Sequence, residues 1–432
     1  MMKKTAYINA IILDGTENMK PQKDRVLIVN EGKITDIISK KEWKPDGDTE
    51  VVDLNGKYLA PGLINLHVHL PGNGSASKKP RDNKKLVQTL MSHKLTRKIV
   101  KDLCAKYASI ELYSGVTTIR CVGGIEDFDS QIRDEINSGK RIGPRMLVAN
   151  TAITVAGGHM EGSVARAVKT PKEARKMVRK TAKQNPDLIK LMITGGVLDG
   201  TVMGEPGQLK MSADIVKAAC EEAHKLGYSV AAHVEGKEGL KIALENGVDT
   251  IEHGAEPDEE ILSLFKKHHA ALVTTISPAI PFAKFDPKDS YATEMGQVNG
   301  KIVMDGIVSC SKAALENGIP VGLGNDVGCP FITQYDFYRE LKFFTKYCDV
   351  SNRFALYTAT LGNAKIAGID GETGSIEKGK SADFIVMKRN PLKNLMALGK
   401  ISGVCYKGNY IYQPLKKIKK KKHIEELFNN IK

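Results

Sequence analysis

The chain has 432 residues, of which 41% are hydrophobic and 26% are charged. This composition is typical of a globular protein with room for one large domain and an accessory domain. The formal net charge is +14, but no aromatic residue lies between the lysines of 416–422, which argues against a stacking platform for single-stranded nucleic acid. No run of about 18 apolar residues occurs, so no membrane span is predicted. We expect neither a nucleic-acid nor a membrane partner.

The cysteines and the first residues indicate a reducing compartment. The seven cysteines are scattered and include no Cys-x-x-Cys pair, which argues against a disulfide framework and against a thiolate metal site. Residues 1–13 are basic and then apolar, but Asn9 interrupts the apolar run and no small-residue cleavage site follows. A cytoplasmic protein is therefore predicted.

Both ends of the chain are predicted to form short strands. The early runs are Ala6–Leu13, Arg25–Asn30, Lys33–Ile38 and Glu50–Asp53, and the turn pairs are Asp14-Gly15, Glu31-Gly32 and Asn55-Gly56. The late runs are Ala382–Met387, Gly403–Lys407 and Tyr410–Tyr412. We predict one accessory β-sandwich domain built from residues 1–60 plus 371–415. Residues 416–432 are predicted as a basic C-terminal tail.

The middle of the chain, residues 61–370, alternates between short apolar strands and longer helical stretches. The predicted strands are Val116–Cys121, Leu188–Ile193, Ser229–His233, Thr250–His253, Ala271–Ile276 and Pro320–Gly324. Predicted helices include Ser212–Leu226, Lys237–Asn246, Asp258–Lys267 and Lys301–Asn317. This alternation predicts an α/β fold, specifically a (β/α)8 TIM-like barrel. The irregular segments 71–90 and 277–300 are predicted as active-site loops, since they follow strand ends.

Metal-suited side chains recur where these strands end. His67 and His69 are two residues apart on a strand, so they point to the same face and can grip one ion. The others follow apolar runs in order: Lys190, His233, His253 and Asp326. Taken alone, each of these residues is more often a core residue or a helix cap than a metal ligand. Because the ends of barrel strands converge on one rim, however, the six side chains together are predicted to form a metal site. Imidazole and carboxylate donors suit zinc, or else manganese, cobalt or iron.

Lys190 stands out because a cation inside an apolar strand is costly to bury. One explanation is a lysine that snorkels toward a carboxylate partner. The other is a neutral amine that reacts with CO2, giving a carbamate whose oxygens can bridge two divalent cations. The residues alone leave both open.

The chain resembles the amidohydrolase superfamily over essentially its full length. The matching segments are Ala60–His69, Ser114–Thr118, Gly143–Arg145, Ile189-Lys190, Ala232-His233, Ile251–Gly254, Gly324–Asp326 and Gly374–Asp383. Thr154–His159 and Thr194–Leu198 are similar to the branch of Xaa-Pro dipeptidases and arginine or lysine carboxypeptidases, which is related to imidazolonepropionase.

The resemblance implies a site with two divalent ions. His67, His69 and Asp326 would hold one ion, His233 and His253 would hold the other, and carboxylated Lys190 would bridge them. Asp326 would also serve as general base and then general acid. The resemblance further implies substrate contacts, to a carbonyl from His159 and to a carboxylate from Tyr228. Where branch members commonly have a second histidine, this chain has Glu235. It is either a loop residue facing solvent or an acid that favours a cationic substrate group or excludes a carboxylate.

The expected activity is hydrolysis of an amide bond in dipeptides or N-acyl amino acids, by a homo-oligomer that binds small molecules. The alternative is a cyclic amidase or deaminase of the imidazolonepropionase type. A deaminase with one ion would not need Lys190 as a ligand. A non-catalytic scaffold would be expected to lose ligands, yet all six are present.

Overall fold

The computed structural model describes residues 4–78 and 82–431. Residues 1–3 of the predicted accessory domain, residues 79–81 of the predicted loop and residue 432 of the predicted tail lie outside the described part. The strands are β1 Thr5–Ile12, β2 Gln22–Asn30, β3 Lys33–Ser39, β4 Glu50–Asp53, β5 Tyr58–Pro61, β6 Leu63–Val68, β7 Val116–Cys121, β8 Arg145–Val148, β9 Ala152–Thr154, β10 Ala165–Ala167, β11 Leu188–Met192, β12 Ser229–Val234, β13 Thr250–His253, β14 Ala271–Thr274, β15 Val321–Leu323, β16 Phe384–Met387, β17 Ile401–Tyr406 and β18 Asn409–Tyr412.

The α-helices lie mainly between strands of the middle segment, as an α/β fold requires. They are α1 Asn83–Met91, α2 Lys94–Tyr113, α3 Phe128–Asn137, α4 Pro171–Ala182, α5 Ala213–Lys225, α6 Lys237–Glu245, α7 Glu259–Lys267, α8 Ile280–Lys284, α9 Pro287–Ser290, α10 Glu294–Glu316, α11 Phe337–Cys348, α12 Asn352–Tyr357, α13 Asn363–Ile366 and α14 Lys422–Asn429. No helix within the described residues combines the length and the apolar character needed to cross a membrane.

The chain divides into two compact units. The first contains Met1–Asn65, Ser109–Ile119 and Tyr335–Lys419, and the second contains Leu66–Ala108, Arg120–Gln334 and Lys420–Lys432. The candidate ligands at positions 67, 69, 190, 233, 253 and 326 all belong to the second unit.

The first unit contains an eight-stranded sheet with strands from both ends of the chain. Its order is β18-β17-β16-β5-β1-β2-β3, and β4 pairs with β1. Glu31-Gly32 joins β2 to β3 and Lys407-Gly408 joins β17 to β18, with φ positive at all four residues. This is the backbone that a two-residue hairpin turn needs. Tyr7, Leu27 and Phe384 are buried in the core of this unit.

The second unit contains a seven-stranded, all-parallel sheet in the order β10-β9-β11-β12-β13-β14-β15. Strands β6, β7 and β8 form a separate three-stranded sheet. The amide of Asp187, just before β11, donates to the carbonyl oxygen of Val148 in β8 at 2.7 Å. A parallel bridge also joins Val68 of β6 to Val327, which lies just after β15. The candidate ligands therefore lie on strands that backbone hydrogen bonds connect.

Helix boundaries follow local capping in some places and tertiary structure in others. Asp258 caps α7, its side chain accepting a hydrogen bond from the amide of Ile261. Ser212 precedes α5 as predicted, but its side chain makes no capping bond to the backbone and instead bonds to Asp214. The predicted irregular loop 277–300 contains α8, α9 and the first turns of α10. Glycine is a poor helix former, so the helix propensity of the segment with Gly296 and Gly300 is low and the first turns of α10 were not predicted.

The segment predicted as a basic tail contains a packed helix. Ile424 and Phe428 of α14 are buried, and the ring of Phe428 lies 5.1 Å from that of Phe285. The Nζ of Lys421 donates to the carbonyl oxygen of Asn73 and to Oγ of Ser75, both at 2.7 Å. The end of the described chain is therefore folded against two of the predicted loops.

Candidate metal centre

Four histidine rings meet at the ends of strands β6, β12 and β13. The ring centroids of His67 and His69 are 5.2 Å apart, and those of His67 and His253 are 4.7 Å apart. The ring of His253 lies 4.6 Å from that of His233. Burial lowers the pKa of all four rings. They are therefore neutral near pH 7, the form that binds a metal ion.

Hydrogen bonds fix the orientation of His67 and His69. Nδ1 of His67 lies 2.7 Å from Oε2 of Glu252, and Oε1 of Glu252 accepts a 2.6 Å hydrogen bond from Nη2 of Arg120. Nδ1 of His69 lies 2.8 Å from the carbonyl oxygen of Gly123. Because a hydrogen bond to an oxygen keeps the proton on Nδ1, Nε2 of both rings is left to bind metal.

A Glu252→Gln variant is expected to bind zinc about 10- to 100-fold more weakly, because a neutral amide orients His67 less firmly and leaves the Arg120 charge uncompensated. Zinc content after dialysis against buffered zinc measures the effect. Exposed Glu256→Gln is the matched control. Equal zinc affinity in the two variants would remove Glu252 from this positioning role.

Asp326 faces the same two histidines. Its Oδ1 lies 3.5 Å from Nε2 of His67 and 3.5 Å from Nε2 of His69. Oδ1 is buried without a hydrogen-bond partner, whereas Oδ2 accepts a 3.1 Å hydrogen bond from Sγ of Cys329. Burial acts to raise the pKa of Asp326, but the positive charge that His67 and His69 carry when protonated, together with the hydrogen bond from Cys329, lowers it by more, and the pKa lies below its ordinary value. Oδ1 is thus an ionised oxygen available to a cation or a proton.

Lys190 is enclosed within strand β11, with 1% of its surface exposed. Within the described part of the chain, its Nζ has no hydrogen-bond partner. Burial lowers its pKa to about 8, which increases the neutral amine fraction at physiological pH. A snorkelling lysine would reach solvent or pair with a carboxylate, and Nζ does neither. Of the two explanations that the sequence leaves open, the geometry favours the neutral, reactive amine.

Two groups of side chains have ligand atoms close enough to hold a divalent ion. One is His67, His253 and Asp326, and the other is His233, Glu235 and His253. Within each group the ligand atoms lie within 4.8 Å of one another, and His253 belongs to both. The donors are imidazoles and carboxylates, which suit zinc. The buried, unpartnered Oδ1 of Asp326 also fits a site completed by a cation.

The two residues predicted to bind substrate lie in different places. The ring of His159 stacks on that of His233, with centroids 4.1 Å apart and planes at 8°, and its Nδ1 pairs with Asp199. Tyr228 immediately precedes β12, five residues before His233 and at the opposite end of that strand. Five strand residues span about 16 Å. The structure therefore does not bring Tyr228 to this site, contrary to the prediction.

Two candidate ligands have a left-handed backbone, which is uncommon outside glycine. The φ angle is +71° at His253 and +52° at Asp326. This conformation breaks the alternation of the strand, so that the adjacent side chains of Glu252 and His253 both reach His67. Strained residues of this kind cluster at functional sites.

Close packing behind His67 requires a glycine at position 324. A Cβ added there would lie 2.4 Å from Cβ of His67. A Gly324→Ala variant is therefore expected to displace His67, to lose about 1–3 kcal/mol of unfolding free energy and to bind less zinc. Thermal unfolding and metal content measure both effects. Gly371→Ala, where an added Cβ meets nothing within 4 Å, should change neither, and equal behaviour of the two variants would contradict the packing argument.

Sequence reasoning missed Arg120 and Glu252 as site residues. Both are charged residues inside apolar strands, in Val116–Cys121 and Thr250–His253. The same signal identified Lys190, since a buried charge requires a partner. Applied consistently, it would have identified this pair as well.

Comparison with known proteins supports a hydrolase. A family model described as the amidohydrolase family matches residues 58–423. The crystal structure of a candidate prolidase from Bifidobacterium longum superposes with a TM-score of 0.86, covering 99% of this chain and 98% of that chain at 31% identity. The crystal structure of a Xaa-Pro dipeptidase with methionine bound in its active site superposes with a TM-score of 0.82, covering 95% of this chain and all of that chain (100%) at 27% identity.

Two curated relatives catalyse different reactions, as their names indicate. Ochratoxinase of Aspergillus niger is 25% identical over 309 residues, which is 66% of this chain and 62% of the relative, so the match spans less than two thirds of that protein. A 5-methylthioadenosine/S-adenosylhomocysteine deaminase of Bacillus cytotoxicus is 26% identical over 412 residues, 89% of this chain and 85% of the deaminase. The family match over most of the chain and the prolidase-like structural neighbours establish that the chain belongs to the amidohydrolase family, in its Xaa-Pro dipeptidase-like branch.

Proposed function

We propose that the enzyme hydrolyses the amide bond of dipeptides or N-acyl amino acids with the help of two divalent cations, zinc being preferred. One observation carries this proposal: the enclosed Nζ of Lys190, which has no hydrogen-bond partner among the described residues, lies close enough to interact electrostatically with His67, His233, His253 and Asp326. A mononuclear deaminase has no use for such an amine as a ligand. A two-ion site does, once the amine carries a carboxylate.

The proposed architecture is a (β/α)8 barrel for residues 61–370 with an accessory β-sandwich from residues 1–60 and 371–415. The hydrogen bond from Asp187 to Val148 and the bridge from Val68 to Val327 support closure of β6, β7, β8 and β11–β15 into one ring. The sheet that combines strands from both chain ends supports the accessory domain. A homo-oligomer remains a prediction.

The proposed ligands divide between two ions. His67, His69 and Asp326 would hold one ion, and His233 and His253 would hold the other. Lys190 would bridge them as a carbamate, formed when its neutral amine attacks CO2 and releases one proton. The orientation of His67 by Glu252 supports this assignment, because oriented imidazoles bind metal more tightly.

The proposed chemistry of the chain centres on Asp326. When bound, the two cations would polarise the scissile carbonyl and lower the pKa of water toward neutrality. Oδ1 of Asp326 would accept the proton of the attacking water and deliver it to the leaving nitrogen. Because an amine is a poor leaving group, this second transfer completes the bond cleavage. The hydrogen bond from Cys329 to Oδ2 would keep Oδ1 directed at the reacting atoms. His159, stacked on His233, would contact the substrate carbonyl.

A screen of dipeptides and N-acyl amino acids tests this function. The enzyme would be loaded with zinc in bicarbonate buffer, and released amino acid and metal content would be measured together. Two ions per chain with amide hydrolysis are expected. The alternative is a deaminase or cyclic amidase, which the similarity to a deaminase supports. It would be established by one ion per chain together with release of ammonia from aminopurine nucleosides or ring opening of cyclic amides.

A further inference from the structure

Glu235 is held rigidly next to the histidine group. Its backbone N–H donates to Oγ1 of Thr194 at 3.0 Å. Its carbonyl is approached by Gly207, where an added Cβ would lie 2.1 Å from the oxygen of Glu235. On the other side, an added Cβ at Gly236 would lie 2.3 Å from the oxygen of Gly207. Two glycines thus allow a backbone contact that fixes the position of Glu235.

Among the residues that the structure describes, no cationic side chain forms an ion pair with the carboxyl group of Glu235. Its Oε2 is shielded from solvent and has no hydrogen-bond partner, while the carboxyl group accepts one hydrogen bond from the backbone of Val197. The nearby carboxylates of Asp326 and Asp199 repel any negative charge on this group. An acid buried among other acids is costly unless a cation compensates it.

The surroundings of Oε2 indicate which cation compensates it. Ligand atoms of His233, Glu235 and His253 all lie within 4.8 Å of one another. Two imidazoles and one carboxylate form a donor set that proteins use to hold catalytic zinc with an open fourth position. We propose that Glu235 is a metal ligand, and that His233, Glu235 and His253 hold a divalent cation whether or not Lys190 is carboxylated.

This inference rests on the proposed function only for the presence of an ion at His233 and His253. In that proposal the third protein donor to the ion is the carbamate of Lys190, which depends on dissolved CO2. Glu235 is part of the chain at the same group, so its availability as a donor does not depend on CO2. The ion at His233 and His253 would therefore stay bound in enzyme kept free of bicarbonate. When bicarbonate returns, the carbamate on Lys190 would form again without that ion having to rebind first.

Zinc titration of the metal-free protein tests the ligand role directly. Wild type is expected to bind two ions. In Glu235→Gln the affinity for one of them should fall at least about 10-fold, with the other unchanged. Asp199→Asn is the matched control, because Asp199 is a neighbouring acid outside the ligand group, and it should keep both affinities. Lys190→Met should keep a zinc ion that the double variant Lys190→Met/Glu235→Gln loses.

A measurement on the wild-type enzyme covers the case in which Glu235→Gln does not fold. Anomalous scattering at the zinc edge should locate an ion about 2.0–2.2 Å from Oε2 of Glu235. Unchanged affinity for both ions in Glu235→Gln, or an ion beyond bonding distance of Oε2, would overturn the inference. A higher KM confined to cationic substrates, with zinc binding intact, would overturn it in favour of substrate recognition. Metal content is measured independently of turnover. If the wild-type enzyme cleaves no amide, the proposed function is refuted, but the assignment of Glu235 as a metal ligand is unaffected.

Discussion

An Asp326→Asn variant is expected to keep its fold and its metal but to lose about 10²- to 10⁴-fold in kcat, the usual contribution of a positioned acid–base group. The amide oxygen of asparagine can still face His67 and His69, where Oδ1 now lies 3.5 Å from both Nε2 atoms. It cannot take a proton from water and return it to a leaving amine. Steady-state kinetics on the best substrate of the screen, with zinc content measured in parallel, give the result.

Asp305→Asn, at an exposed position of helix α10, is the control for this variant, and it should retain wild-type kcat. A near-native rate in Asp326→Asn would remove Asp326 from the proton-transfer role. A loss of zinc together with activity would instead assign the defect to metal binding. The two contributions are separable because kinetics and metal content are measured on the same sample.

A Lys190→Met variant is expected to lose activity by more than about 10³-fold and yet to be more stable than wild type without metal. Methionine cannot form a carbamate, so the bridging ligand is lost. Without metal and CO2 the buried amine of Lys190 is mostly protonated at pH 7, and replacing buried charged groups with apolar side chains of similar volume is often neutral or stabilising by about 1–4 kcal/mol. Activity assays and urea unfolding of the metal-free proteins measure these opposite effects.

The stability difference should depend on pH in a defined direction. Burial lowers the pKa of Lys190 from 10.5 to about 8, so between these values the unfolded chain binds more protons than the folded chain. Unfolding free energy of metal-free wild type therefore rises with pH across that window, by about 3 kcal/mol in total. The advantage of Lys190→Met should be full at pH 7 and smaller at pH 9. Exposed Lys217→Met should show no such trend, and a pH-independent advantage in Lys190→Met would contradict the buried-amine account.

The positions of the candidate ligands were predictable because strand geometry places them. His67 and His69 share a face through the two-residue period of a strand. Lys190, His233 and Asp326 occur within or just after strands of connected sheets whose parallel directions bring their carboxyl ends together. A local pattern and a simple topological rule were sufficient at these positions.

The rest of the site depends on contacts between distant parts of the chain. His253 lies beside His67 together with its neighbour Glu252 because the left-handed backbone at His253 interrupts the alternation of the strand, and no residue pattern reveals that φ angle. Tyr228 was predicted near the substrate by similarity of position, but the direction of β12 places it at the opposite end. Helix α14 was hidden because the lysine run at 416–422, which leads into it, dominates the composition of the segment, whereas its burial depends on Phe285, far earlier in the chain.

The left-handed conformations of His253 and Asp326 have a consequence for how such a protein changes over evolutionary time. Each conformation costs on the order of 1–3 kcal/mol, which only a selected activity justifies keeping. A lineage released from selection for catalysis would gain stability by substituting glycine or asparagine at these two positions, well before its hydrophobic core drifted. Glycine or asparagine at positions 253 and 326 in a descendant would thus be an early sign that catalytic activity is no longer under selection.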